Sequence, residues 1–362
     1  MKNIPFLLAL HSINGLGPIR LKAVLDYFGD PKLAWEADPR EFLKISIPEN
    51  VVNLFSETRK KLDPEKYLES IQKSGISWLT IFDEEYPKLL KEIYDPPTVL
   101  YFKGEIKKTD EKAIAVVGTR KMTGYGKLVT EKLASELANL GITVVSGLAR
   151  GVDSTAHKAV VEAGGRTLAV LGGGLNNIFP PENIDLAKKI TQGFGAVFSE
   201  FPPDHPSLPG NFPARNRIIS GLSLAVLVTE AAEDSGSLIT ARCALEQGRD
   251  VFAVPGPITS DLSKGPSILI KQGAKLITEA EEILEELGIE KRQVASVMSR
   301  ENLKLSEIEE KILECLENEN QHIDEICRKL SISAASVSAA LVKMEIHSLV
   351  KNLGGGNYVK IC

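Results

Sequence analysis

The sequence holds little of what builds metal and redox sites. Its 362 residues include four cysteines (Cys243, Cys315, Cys327 and Cys362) and five histidines. No two cysteines have CxxC spacing, so neither a zinc site nor a disulfide framework is written in the chain. A reducing cytoplasm is the expected home, and no metal or cofactor is expected. No run approaches the roughly 18 apolar residues that cross a bilayer. The opening MKNIPFLLALHSINGLG lacks a small-residue cleavage pattern, so no signal peptide and no membrane partner are expected. Also missing are GxGxxG, the P-loop lysine motif, the GxSxG elbow, a kinase signature and an acidic cluster for two-metal hydrolysis. Internal repeats and low-complexity segments are absent too.

What is present is an ordinary globular composition, 43% hydrophobic and 25% charged, with a net charge of −5. That charge alone argues mildly against a nucleic-acid partner, but it averages over unlike segments. Residues 112–220 hold twelve basic against eight acidic residues, while acid concentrates in 279–290 and 301–319.

Four regions follow. Residues 1–75 read as short helices, with Gly15-Leu16-Gly17 between two apolar-periodic stretches and Pro18 at a first helical position. This N-terminal domain is SAM-like or helix-hairpin-helix-like. Residues 76–288 form the main domain. Its runs AIAVVG (113–118), TVVSG (143–147), TLAVLGGG (167–174), AVFSE (196–200), LAVLVTE (224–230), VFAVPG (251–256) and KLIT (275–278) are nearly all apolar. Strands buried on both faces look like this, which predicts a mostly parallel, doubly wound α/β sheet of extended Rossmann-like type. A polar linker spans 289–305. Residues 306–362 show three helical units and a Gly-rich hairpin, a winged-helix pattern. Its recognition helix, opening at SAASVSAAL, carries only Lys343, poor chemistry for DNA; protein contact or a structural role is expected there.

The chemistry is expected where the strands end, because open α/β sheets bind ligands at their carboxyl edge. The first turn, VVGTRKMTGYGKL, offers Gly118 for close backbone approach, Thr119 as a hydroxyl and Arg120 and Lys121 as cations, followed by a helix start. The second, SGLARGVDSTAHKAV, offers Ser146, Gly147 and Arg150. Ser146 stands where an NAD enzyme would carry a ribose-binding acid, which argues against a dehydrogenase. Asp153 and His157, one helical turn apart, suggest a triad with Ser146 or Ser154, but a network holding the loop is the expected outcome. The third turn, LGGGLNNIFPPEN, offers Gly172, Gly173 and Gly174 as bare backbone for a ligand and Phe179 as a stacking face. Next comes a Pro-rich excursion, after which Arg215-Asn216-Arg217 opens a helix, two arginines flanking an Asn that suit phosphate binding, with salt bridges to Glu200 or Glu230 as the other reading. In TEAAEDSGSLITARC, Ser235 or Ser237 caps a helix and Glu230 serves as general base or, by preference, loop brace. Several anion sites along one edge suit a polymer backbone better than one small molecule.

Taken together, GTRKMTGYG, SGLARGVDSTAHKAV, AVLGGGLNNIFPPEN, FPARNRIISGLS and SGSLITARCALEQGRDVFAVPG resemble the DNA-processing protein A family (DprA, also called Smf) over about residues 80–280. The resemblance implies a non-catalytic protein that binds single-stranded DNA, protects incoming DNA, forms homodimers and helps load the recombinase RecA in natural transformation. It implies a DNA pocket at Gly118, Thr119, Arg120, Ser146, Gly147, Arg150, Gly172, Gly173, Gly174 and Phe179, with Asn216 and Arg217 beside it. Phe179 stands where the family usually has Tyr, which keeps a stacking face and loses the hydroxyl. Asn176 stands where Asp is common. The alternative is a nucleotide-processing enzyme of a related Rossmann-like family, with Glu230 as its acid.

Overall fold

A computed structural model describes residues 3–289, 306–316, 320–346 and 349–360. The expected linker at 289–305 lies, but for Ile289, outside the described residues. The chain forms two units, 1–290 and 291–362.

The first unit opens with five helices: α1 (Ile4–His11), α2 (Pro18–Phe28), α3 (Pro31–Glu36), α4 (Glu49–Lys61) and α5 (Pro64–Lys73). Their starts follow from local chemistry. Asp30 accepts from Lys32 N and Leu33 N, and Asp63 from Glu65 N and Lys66 N, each with a proline at the next position. The Gly-Leu-Gly turn joins α1 to α2, with Gly17 as cap and Pro18 as first helical residue. These helices and the 3-10 segment Pro39–Ile45 bury Leu7, Leu8, Leu21, Trp35, Phe42 and Phe55 in one cluster that continues into Val99, Tyr101, Ala169 and Val197 of the sheet.

The sheet has nine strands: β1 (Ser77–Thr80), β2 (Val99–Gly104), β3 (Ala113–Val117), β4 (Thr143–Ser146), β5 (Thr167–Val170), β6 (Gly195–Ser199), β7 (Ala225–Val228), β8 (Asp250–Ala253) and β9 (Lys275–Leu276). Their order is β1-β2-β6-β5-β4-β3-β7-β8-β9. From β6 to β9 every pairing is parallel, and β2 and β1 continue the sheet antiparallel. All seven apolar runs are strands, and β3 to β7 are buried along their length, as two-sided coverage requires. The helices between and after them are α6 (Lys88–Lys91), α7 (Gly124–Asn139), α8 (Val152–Glu162), α9 (Ile184–Lys189), α10 (Asn211–Gly221), α11 (Gly236–Glu246), α12 (Lys264–Lys271) and α13 (Ala280–Glu286). The chain winds from β3 through β4 and β5 to β6, then crosses back to β7 on the other side of β3. That reversal opens a crevice at the carboxyl ends of the central strands.

The second unit is a winged helix: α14 (Glu307–Cys315), α15 (Ile323–Leu330) and α16 (Ala334–Ile346), with β10 (Gln321–His322), β11 (Val350–Gly354) and β12 (Asn357–Lys360). The strands pair antiparallel in the order β10-β12-β11. Ile312, Ile326, Val337, Leu341, Met344 and Val350 fill its core.

Candidate nucleic-acid interface

The loops at the carboxyl edge are fixed by buried polar groups beneath them. After β3, Thr119 N donates to Glu230 O at 2.7 Å. Thr123 caps α7, its hydroxyl accepting from Gly126 N, and Glu230 accepts from Thr123 N at 2.9 Å and Thr123 Oγ1 at 2.6 Å. Both carboxylate oxygens of Glu230, 2% exposed, are spent on this turn, so Glu230 is a brace. After β4, Asp153 accepts from Gly147 N at 3.1 Å and Ala149 N at 3.4 Å. Ser146 Oγ donates to Val116 O at 2.7 Å and ties β4 to β3. Burial raises the Asp153 carboxyl above the usual carboxylate range, against the pull of nearby Arg215.

Asp153 and His157 make no bond to each other. The His157 ring nitrogen Nδ1 meets Thr167 Oγ1 at 2.7 Å, and that hydroxyl donates to Val144 O. Burial lowers the imidazole to about 3, so it is neutral and part of the core. The Ser-His-Asp suggestion gives way to the loop network.

The glycines serve packing of protein on protein. A Cβ at Gly147 would meet Arg215 Nη2 at 2.5 Å and Asp153 Oδ2 at 2.6 Å. At Gly172 it would meet the Phe212 ring at 2.9 Å, at Gly173 Ser207 Oγ at 2.3 Å, and at Gly174 Pro203 O at 2.1 Å. The expectation that the triple glycine offers bare backbone to a ligand is therefore corrected. The three are buried, and the Pro-rich segment 202–212 occupies the space they leave. Gly118 admits Val152 and Glu230 O, and Gly151, at φ +76°, admits the Thr119–Arg120 turn.

Helix α10 starts at Asn211, with Pro213 inside its first turn, where no backbone donor is needed. Arg215-Asn216-Arg217 thus lies inside the helix, and the expected phosphate grip at a helix start is corrected. Arg215, 3% exposed, donates to Gly147 O at 2.6 Å and to Val170 O, clamping the ends of β4 and β5. Burial lowers its guanidinium to about 10, with Asp153 opposing the fall. Asn216 donates to Gly236 O at 3.1 Å. Arg217 is closed off by carboxylates, giving Nη2 to Glu200 Oε2 at 2.7 Å and Nε to Asp95 Oδ2 at 2.8 Å.

Above this frame sits a shallow cup lined by Arg120, Gly147, Ala149, Arg150, Phe179, Pro180 and Phe212. Arg120 is exposed; its guanidinium carbon lies 5.2 Å from the Phe212 ring centre. Phe179 is 44% exposed, and its ring lies 6.2 Å from that of Phe212. Arg150 Nε donates to Glu182, which raises the guanidinium and lowers the carboxyl. Lys121 is exposed beside Arg120.

Of the sequence candidates, Arg120, Arg150, Phe179 and Gly147 come together at the cup, with Lys121 at its side. Gly118, Thr119, Ser146, Gly172, Gly173 and Gly174 build the loops beneath, and Asn216 and Arg217 belong to the α10 scaffold. Phe212 was missed. Its only signal in the sequence is an aromatic two residues after Gly210, at the end of a Pro-rich segment. Among the described residues no group of His, Cys, Asp and Glu could hold a metal ion, and no helix is long and apolar enough to cross a membrane.

Fold and site define a doubly wound α/β protein with a cationic, aromatic cup over the carboxyl ends of β3, β4 and β5, followed by a winged helix. The family model described as DNA recombination-mediator protein A matches residues 77–288, and the DprA winged helix domain matches 296–356. The chain is 44% identical to Protein Smf of Escherichia coli over 74% of each chain. It is 43% identical to the DNA processing protein DprA of Bacillus subtilis over 70% of this chain and 88% of that one. Among solved structures it is similar to DNA processing protein A of Streptococcus pneumoniae, 38% identical with TM-score 0.69, covering 79% of this chain and 99% of that one. It is also similar to the Helicobacter pylori protein solved for its single-stranded DNA binding mode, 33% identical with TM-score 0.53, covering 59% of this chain and 95% of that one. The chain belongs to the DNA recombination-mediator protein A (DprA) family.

Proposed function

We propose that this chain binds single-stranded DNA at the cup and acts as a recombination mediator without catalysis. The observation that carries the reading is the pairing of an exposed arginine, Arg120, with the open face of Phe179 over a braced frame. A guanidinium grips phosphate, and an aromatic face stacks on any base. The neighbouring amides are spent within the loops: Asn176 donates to Asp204, Asn177 to Asp204 O, and Asn211 to Pro206 O. Binding should therefore tolerate any base sequence. The single-stranded DNA binding mode of the Helicobacter pylori relative supports the same reading.

The finer roles rest on the family resemblance: a cytoplasmic homodimer that covers incoming strands and hands them to RecA. The test is anisotropy of labelled oligonucleotides of a few tens of bases across a salt series. Binding should be similar for homopolymer and mixed sequences and should weaken as salt rises. No salt-sensitive binding would refute the reading. RecA loading would then show as faster filament assembly on the bound strand.

The alternative, a nucleotide-processing enzyme acting through Glu230, is disfavoured because that carboxylate is occupied by Thr123. Release of base from a nucleotide panel, lost on Glu230→Gln, would revive it.

A further inference from the structure

One backbone position in the turn after β4 is out of character. Leu148 has φ +54°, in the left-handed region that glycine enters freely and a leucine enters only under strain. Glycine would suit the position better if backbone geometry alone decided it. The side chain supplies the reason for leucine. Leu148 is fully buried, and it lies in the same apolar cluster as Leu7 and Leu8 of α1, Phe55 of α4 and Ile71 of α5. Leu171 and Leu175, at the end of β5 and in the turn after it, belong to that cluster too. The N-terminal helices thus share one core with these turns and do not pack among themselves alone. Taking a leucine out of such a core exposes its side chain, a loss that offsets the backbone strain.

A polar seam closes the same contact between helices and sheet. Tyr101 on β2 is buried. Its hydroxyl meets His11 Nδ1 at 3.2 Å, and its phenol also interacts with that of Tyr67 on α5. Burial, with nearby His205, lowers the His11 imidazole to about 4, so the ring is neutral. One side chain therefore joins α1, α5 and β2.

We propose that the N-terminal helices are a conformational handle on the turn after β4. While the seam is closed, the shared core holds Leu148 in its left-handed conformation. When the helices loosen, Leu148 loses its partners, the backbone relaxes out of that conformation, and the turn from Gly147 to Gly151 opens. Coupling of this kind is reciprocal, so whatever orders the turn also tightens the helices. The inference does not depend on what binds at the edge.

The test is amide hydrogen exchange of the full-length chain, read by mass spectrometry. The segments followed are α1, α5, the turn 147–151, whose Gly147 and Ala149 amides are bonded to Asp153, and, as a control, β8 and α12 toward the other end of the sheet. Tyr101→Phe keeps the ring and removes the hydroxyl. It should speed exchange in α1 and α5 about two- to tenfold, the worth of one hydrogen bond in the opening equilibrium. The turn should speed up by the same factor, while β8 and α12 stay at the parent rate. Leu148→Gly suits the backbone and removes the anchor. It should loosen α1 and α5, and in its background Tyr101→Phe should no longer change the turn. A turn that keeps the parent rate in Tyr101→Phe would overturn the inference, whether or not the helices respond, because its own hydrogen bonds would then be enough to hold it. Equal acceleration in β8 and α12 would overturn it too, as a loss of overall stability and not a coupling. So would helices whose exchange Leu148→Gly leaves untouched.

Discussion

The carboxyl edge of the sheet and helix α16 of the wing are each the place where their fold usually meets a ligand. On the edge, Arg120 is exposed, its guanidinium lies over the Phe212 ring, and among the described residues it is in no ion pair. On α16, the single basic side chain, Lys343, is held by Glu309 at 2.8 Å. Glu309 is buried, closes a capping box with Ser306, and its carboxyl is held down to about 2, first by the Lys343 hydrogen bond and then by Ser306 N. The rest of α16 offers Ala, Ser, Val and the acidic Glu345 to solvent. Two surfaces that fold class alone would rate alike therefore differ in whether a cation is still available. Counting basic residues does not reveal this; their partners do.

The largest expected effects lie on the edge and separate its two kinds of contact. Arg120→Ala removes a charge-assisted phosphate contact and should weaken single-strand binding about ten- to hundredfold. Because one phosphate contact is lost, the slope of log affinity against log salt should become shallower by about 0.7. Phe179→Ala should cost a comparable factor through lost stacking, of order 1–3 kcal/mol per base, and leave the salt slope unchanged. Equal slopes for all three proteins would place the phosphate contact elsewhere and erase the contrast with the wing.

Within the cup the same comparison recurs on a smaller scale. Arg150 is held by a carboxylate, as Lys343 is, but this pair is exposed on both sides, at 57% and 49%. A phosphate has to displace Glu182 to reach it. Glu182→Gln should therefore tighten binding, by about two- to fourfold, the scale of an exposed ion pair. Unchanged or weaker binding would show that Arg150 serves the loop and not the strand.

The architecture was legible because strands buried on both faces must be apolar along their whole length, as the five runs that form β3 to β7 are. Arg120, Arg150 and Phe179 were legible for a different reason. Each sits on a turn directly after a strand, so sequence position alone puts it at the edge. The misreadings all involve distant partners. Gly172 and Gly174 look like openings for a ligand until Phe212 and Pro203 are seen to fill them. Glu200 and Glu230 are the acids that the sequence puts forward for Arg215 and Arg217. Arg217 meets Glu200 together with Asp95, which lies 122 residues away. The helix start at Asn211 was hidden by Pro213, which reads as a breaker but suits a first turn. Phe212 was hidden with it.

The smallest expected effect is the most direct check on the opening contrast. Lys343 gives its ammonium to a carboxylate that is itself buried and fixed by a helix cap. For Lys343 to serve a phosphate, Glu309 would be left without its cation in a 2% exposed position, an arrangement that disfavours a charged carboxylate. Lys343→Ala in the full chain should thus leave single-strand affinity within about twofold and the salt slope unaltered, since no released counterion is involved. Its cost should appear in the thermal unfolding of the wing. A loss of affinity approaching that of Arg120→Ala, with a shallower slope, would mean that Lys343 leaves Glu309 when DNA arrives. The ion pair would then be a contact exchanged on binding, and the two surfaces would act alike.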